Sequence, residues 1–137
     1  MADDVILNKA ASIERCLDRV RQEYEGHENE LATNFTRQDA VVLNLLRACE
    51  ASIDLAMHVV RIRRLGIPQD SRAAFTMLEE AKLIDPETTA HLKAMVGFRN
   101  IAVHAYMALD IEILKAILEN RLTDFRTFVR LMIQGSR

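Results

Sequence analysis

At 137 residues, half of them hydrophobic and 28% charged, the chain has the size and balance of one soluble globular domain that can build a core without disulfide or metal staples. A net charge of -2 and a pI near 6.1 exclude a protein that coats nucleic acid by bulk electrostatics, but not one with a focused basic site. Four Gly and two Pro leave few turns, which excludes a sandwich or barrel of many short strands, and no 18-residue apolar run is present to cross a membrane.

The hydrophobic pattern is helical from end to end. The first predicted helix runs from about Asp3 to Tyr24, with Ile6, Ala10, Ile13, Leu17, Val20 and Tyr24 at three- and four-residue steps. The second, about Arg37 to Leu65, opens on Thr36 and Asp39, which resemble a capping box with Asp in place of Glu, and Phe35 is placed to staple back on the first turn. Its stripe is Val42, Leu45, Leu46, Cys49, Ile53, Ala56, Met57 and Val60, and Gly66 with Pro68 signals its end. The third spans about Arg72 to Lys82 with Asp70 or Ser71 as its cap. The fourth begins at Asp85-Pro86, a cap followed by Pro at the first helical position. The fifth starts near Asp110 and runs to about Ile133 through Ile111, Leu114, Ile117 or Leu118, Leu122, Phe125, Val129 and Met132.

These elements predict an all-α, up-and-down four-helix-type bundle with one additional short helix, a single domain over residues 1–137. The second and fifth helices would each be about 40 Å long. Amphipathic helices of that length leave an apolar face for a second copy, so a homodimer is expected. The N-terminus, MADDVILNKAASIERC, carries acids where a signal peptide needs positive charge, and Cys16 and Cys49 form no disulfide framework, so the expected compartment is the cytoplasm. Both cysteines fall on or beside core stripes and read as small buried hydrophobes. Nothing has the spacing of a metal site, and neither metal nor cofactor is expected.

One stretch has polar residues that do not read as a solvated face. In GFRNIAVHAYMALD, residues 97–110, Arg99, Asn100, His104 and Tyr106 sit among Phe98, Ile101, Ala102, Val103 and Met107. Histidine exchanges protons near neutral pH, arginine stabilises an anionic phosphate, and tyrosine offers a hydroxyl. Asn100 and His104 share one helical face; Arg99 and Tyr106, seven apart, share another. A straight helix holds Arg99 and His104 roughly 140° apart. A joint site therefore needs a helix break or a second copy of the chain. The plain alternative is a buried helix whose His and Tyr are satisfied by hydrogen bonds within the core.

The spacing Arg, four residues, His, one residue, Tyr resembles the motif of the HepT-like toxins, a family of the HEPN superfamily of small helical domains. VILNKAASIERCLDRV resembles the family's first helix and TRQDAVVLNLLRACEASIDLAMHVV its second. LGIPQDSRAAFTML and MVGFRNIAVH extend the likeness over nearly the whole chain. The resemblance implies an all-α homodimer that cleaves RNA without metal, with Arg99 and His104 as the catalytic pair near the dimer interface and Asn100 in support. It also implies a partner, an MntA-like nucleotidyltransferase antitoxin, which silences the toxin by adding AMP to Tyr106. The residue chemistry suits this: His104 for proton transfer, Arg99 for phosphate charge, and a Tyr106 phosphate resting against Arg99. A non-catalytic nucleotide- or nucleotidyltransferase-binding subunit of the same helical family is the alternative. A purely structural bundle would leave the polar cluster unexplained.

Arg47, Glu50, Asp54, His58 and Arg61 form a polar stripe along the second helix. It reads first as a solvated flank; its functional alternative is that Glu50 or Asp54 holds Arg99. Arg61, Arg63 and Arg64 suit either RNA phosphate or the helix C-terminal dipole. His27 and His91, in polar surroundings, are expected to be exposed.

Overall fold

The computed structural model describes residues 3–135, which form six α-helices and two short 3-10 turns, with no strand among them. The helices are α1 (Asp4–Tyr24), α2 (Phe35–Ile62), α3 (Ser71–Glu80), α4 (Pro86–His104), α5 (Ile111–Asn120) and α6 (Leu122–Gly135). The 3-10 turns are Glu28–Glu30 and Tyr106–Ala108. No helix among the described residues is long and apolar enough to cross a membrane.

Helix α1 begins at Asp3, whose carboxylate accepts the Val5 amide, and it buries the six residues of its predicted stripe. Helix α2 starts earlier than its sequence suggests. Asn34 is the cap and accepts the Arg37 amide at 3.1 Å, so Thr36 and Asp39 form no capping box. Phe35 is 68% exposed and staples nothing. The helix also stops sooner, at Ile62. Arg64 takes the left-handed conformation (φ 54°) and the Leu65 amide reaches back to the Val60 carbonyl, so the stop signal is Arg64 and not Gly66. Helix α3 ends in the same way, with Lys82 left-handed (φ 62°) and the Leu83 amide on Leu78.

The predicted fifth helix is two helices. The ladder of α5 closes with the Arg121 amide on Ile117, and the Arg121 carbonyl then accepts the Asp124 amide to open α6. The bundle therefore has two short helices, α3 and α5, beside the longer α1, α2, α4 and α6. Helices α1 and α2 are antiparallel: Asp3 meets His58, Lys9 meets Asp54, and Glu23 meets Arg37. Helix α6 returns along α1, where Arg126 pairs with Glu14, and also packs on α2 and α4. The core at their centre includes Leu17, Leu45, Leu55, Phe75, Phe125 and Phe128, all fully buried. Phe75 and Phe128 meet edge to face with centroids 5.6 Å apart. Burial of this core, rather than the few surface ion pairs, fixes the face that α4 turns toward α2.

Candidate active site

The motif residues lie on the last turns of α4 and in the 3-10 turn after it. Core residues Leu92, Met95, Val96, Phe98 and Ala102 turn one side of α4 inward. Arg99 falls on that side and reaches α2 and α3. Its Nε lies 3.3 Å from Glu50 Oε1, an ion pair without hydrogen-bond alignment, and Nη2 donates to Ser71 Oγ at 3.1 Å. Ser71 is free for this because Asp70 caps α3, accepting the Ala73 amide at 2.8 Å. Asp54, one turn beyond Glu50, does not touch Arg99; it pairs with Lys9 at 3.3 Å and its side chain is 56% exposed. The side of α2 that meets α4 decides between them in favour of Glu50.

Helix α4 runs unbroken through His104, and the Ala105 amide still bonds to the Ile101 carbonyl. Of the two ways to unite Arg99 and His104, the helix break is thereby removed. Arg99 faces inward, while His104 is exposed on the outer side with the half-buried Asn100 one turn before it. Ile101, Val103 and Met107 stand beside them with 46%, 49% and 96% of their surfaces exposed. Between α4 and α5 lies an apolar groove of about 550 Å³ lined by Phe98, Ile101, Leu109, Ile113 and Ile117.

Tyr106 does not share a face with Arg99. It lies past the end of α4, where the chain has left the helix, and its hydroxyl donates to Asp39 Oδ1 at 2.6 Å, with Gln38 Oε1 3.4 Å away. Burial first, and then the Asp39 carboxylate, push its pKa up to about 12. The anchor of Tyr106 on α2 is eleven residues before Glu50, roughly 16 Å along the helix. A phosphate on Tyr106 would thus be met by Asp39 and not, as the straight-helix spacing suggested, by Arg99.

Other polar residues have structural partners. His58, read from the sequence as part of a solvated flank, is 7% exposed and lies 3.0 Å from Asp3 Oδ2. Arg61 Nη2 is 3.2 Å from its Nδ1; arginine can only donate, so Nε2 carries the proton that faces Asp3. His91, expected to be exposed, pairs with Asp124 at 3.1 Å with its side chain 22% exposed. His27 pairs with Glu30. Cys49 is buried and Cys16 half-buried. Among the described residues no group of three or more His, Cys, Asp or Glu is placed to hold a metal ion. Sequence reasoning missed two site neighbours. Ser71 was visible only as a possible cap, and Asp39 only as half of a capping box.

The sequence model of the family described as "Ribonuclease HepT-like" matches residues 13–132, from within α1 to the last turn of α6. The chain belongs to this HepT-like family. It is 46% identical over 127 residues to the mRNA nuclease HepT of Shewanella oneidensis, covering 93% of this chain and 95% of that protein. The tri-AMPylated HEPN toxin of the same organism, solved in complex with an MNT antitoxin, superposes with a TM-score of 0.90 at 45% identity, covering 95% of this chain and 97% of that one. A toxin-antitoxin structure with AMP-PNP gives the same TM-score at 44% identity, over 95% and 98% of the two chains. The all-helical HEPN fold expected from the motif is thus the fold observed.

Proposed function

We infer that this HepT-like chain is the toxin of a HepT/MntA-type toxin-antitoxin pair, an endoribonuclease that cleaves RNA without metal and is silenced when AMP is added to Tyr106. The 46% identity with an mRNA nuclease, over nearly the full length of both chains, carries this reading. The geometry supports the division of labour within it. Arg99, fixed by Glu50 and Ser71, supplies a preorganised positive charge for a phosphorane, and the exposed His104 supplies proton transfer. The 2′-hydroxyl of RNA attacks the adjacent phosphorus, its proton leaves to a base, and the bond to the 5′-oxygen breaks as that oxygen is protonated. The products are a 2′,3′-cyclic phosphate and a 5′-hydroxyl. Asn100 flanks His104 and supports it.

With α4 continuous, a joint Arg99–His104 site calls for two copies of the chain, and the exposed Ile101, Val103 and Met107 beside His104 support a second copy docking at this end of α4. The working form is a homodimer, its partners are RNA and a cognate MntA-like nucleotidyltransferase, and its compartment is the cytoplasm.

The test is RNA cleavage by purified protein in EDTA, with mass spectrometry of the same sample to establish that Tyr106 is unmodified. His104→Ala should lower the rate about 10²- to 10⁴-fold, the usual share of a proton-transfer group. Arg99→Ala should fall comparably. Cleavage that needs a divalent metal and leaves 5′-phosphate ends would sink the reading. Nucleotide or transferase binding without cleavage by unmodified, folded dimer would favour the non-catalytic subunit.

A further inference from the structure

Asp39 sits in the second turn of α2 without the capping role its spacing suggested, because Asn34 caps that helix. Its carboxylate instead closes a contact across 67 residues, accepting the Tyr106 hydroxyl at 2.6 Å. Gln38 completes the setting. It is 8% exposed, and its Nε2 donates to the Leu31 carbonyl at 3.0 Å, which turns its Oε1 toward the phenol at 3.4 Å. Among the described residues, the phenolic oxygen therefore faces two acceptors and no cation. The charged group that acts on it is Asp39, and Gln38, the other neighbour, does not titrate. Such surroundings oppose a preformed phenolate, in keeping with a pKa pushed up to about 12. Tyr106 becomes a nucleophile at neutral pH only if its proton is removed while the new bond forms.

We propose that Asp39 is the proton acceptor when Tyr106 takes AMP, so that the toxin itself supplies the general base for its own silencing. The proposal rests on the reading of Tyr106 as the AMP acceptor. As the Tyr106 oxygen bonds to the α-phosphorus of a nucleoside triphosphate, its proton passes to Asp39 Oδ1. The bond from the α-phosphorus to the oxygen bridging to the β-phosphorus breaks, and pyrophosphate leaves with that electron pair. An aspartate does the same for the acceptor hydroxyl in protein kinases. Asp39 is exposed, so it returns the proton to water. The transfer also removes the hydroxyl hydrogen and places a phosphodiester anion against the carboxylate, which favours release of the modified side chain. Tyr24 serves as an internal control. It too donates to a carboxylate, Glu119 at 3.0 Å, but it is only 5% exposed and closed to a transferase.

The experiment follows AMP addition by mass spectrometry in the full chain with its cognate nucleotidyltransferase, Mg²⁺ and ATP, across pH. Asp39→Asn keeps an oxygen that can accept the hydroxyl but loses its basicity. It should slow transfer about 10²- to 10⁴-fold, with Asp39→Glu recovering part of the rate and both variants keeping the wild-type circular dichroism. In Asp39→Asn the residual rate should climb about tenfold per pH unit, as expected when the phenol must ionise first, while wild type levels off. Transfer to Asp39→Asn at the wild-type rate, or slowed transfer with an unchanged pH profile and no rescue by Glu, overturns the proposal. A wild-type chain that takes no AMP, or a Tyr106→Phe chain that takes as much as wild type, overturns instead the reading of Tyr106 on which it rests.

Discussion

In the proposed site, Arg99 serves a phosphate only while its guanidinium stays where α2 and α3 hold it. Glu50 is 46% exposed, so its ion pair with Arg99 contributes little to stability, within about 1 kcal/mol. Its effect on the orientation of Arg99 is larger. Glu50→Ala should lower RNA cleavage by up to about a hundredfold, the cost of a misplaced group near 1 Å, while the unfolding midpoint hardly moves. Parallel activity and urea-unfolding measurements check this. Burial pushes the thiol of Cys49 up strongly and that of Cys16 less completely, so alkylation of the native protein at neutral pH should be slow at both and slowest at Cys49. Peptide mass mapping reads the order. At this scale the sequence was legible in kind but not in pairing. Arg99, His104 and Tyr106 stand out as polar residues in an apolar stretch. Whether Glu50 or Asp54 meets Arg99 was undecidable, because the two lie four apart on one stripe and only the packing of α4 chooses. Asp39 was visible as a residue but not as a neighbour of Tyr106, since that contact depends on where α4 ends.

Two helices end on left-handed residues that carry side chains, Arg64 after α2 and Lys82 after α3. Glycine adopts that conformation without the Cβ clash, so Arg64→Gly and Lys82→Gly should each raise stability by about 1 kcal/mol, seen as a higher urea midpoint at constant slope. A fall in the midpoint would mean that the two side chains contribute packing that outweighs their backbone strain. Asp70→Ala removes the cap of α3 and should cost about 1 kcal/mol. The same substitution loosens the turn that presents Ser71 to Arg99, so its cleavage rate should fall further than that of a cap variant at Asn34, far from Arg99. Helix existence was readable from periodicity throughout, and the α1 stripe matched residue for residue. The break at Arg121 was not. Leu118 and Phe125 are seven apart and both buried, so the apolar stripe keeps its phase across the break, and no Gly or Pro marks it. The end of α2 was misplaced for the converse reason, since Arg64 does what the sequence assigned to Gly66.

At the scale of the molecule, Cys16, Cys49, Tyr24 and Tyr106 hold their protons more firmly in the folded state than the ordinary values of 9.0 for thiols and 10.0 for phenols. Burial is the first cause in each, and Tyr24 and Tyr106 add a carboxylate neighbour. A raised folded-state pKa makes the contribution complete below the unfolded value and loses it as pH rises. The stability held by these groups should therefore be intact below about pH 9 and, for the two tyrosines, gone once pH passes about 12. Melting temperatures measured from neutral to alkaline pH, with tyrosinate absorbance followed alongside, check the window; a flat profile above pH 9 would count against the burial of these groups. The antiparallel pairing of α1 with α2 has another consequence, in time rather than in space. The contacts of that hairpin are complete by residue 62, whereas His104 and Tyr106 come only after α3 and at the end of α4. During synthesis the hairpin can fold early, while Arg99 emerges only after α2 and α3, the helices that hold it. A partial chain that stops before α4 carries a scaffold and no blade.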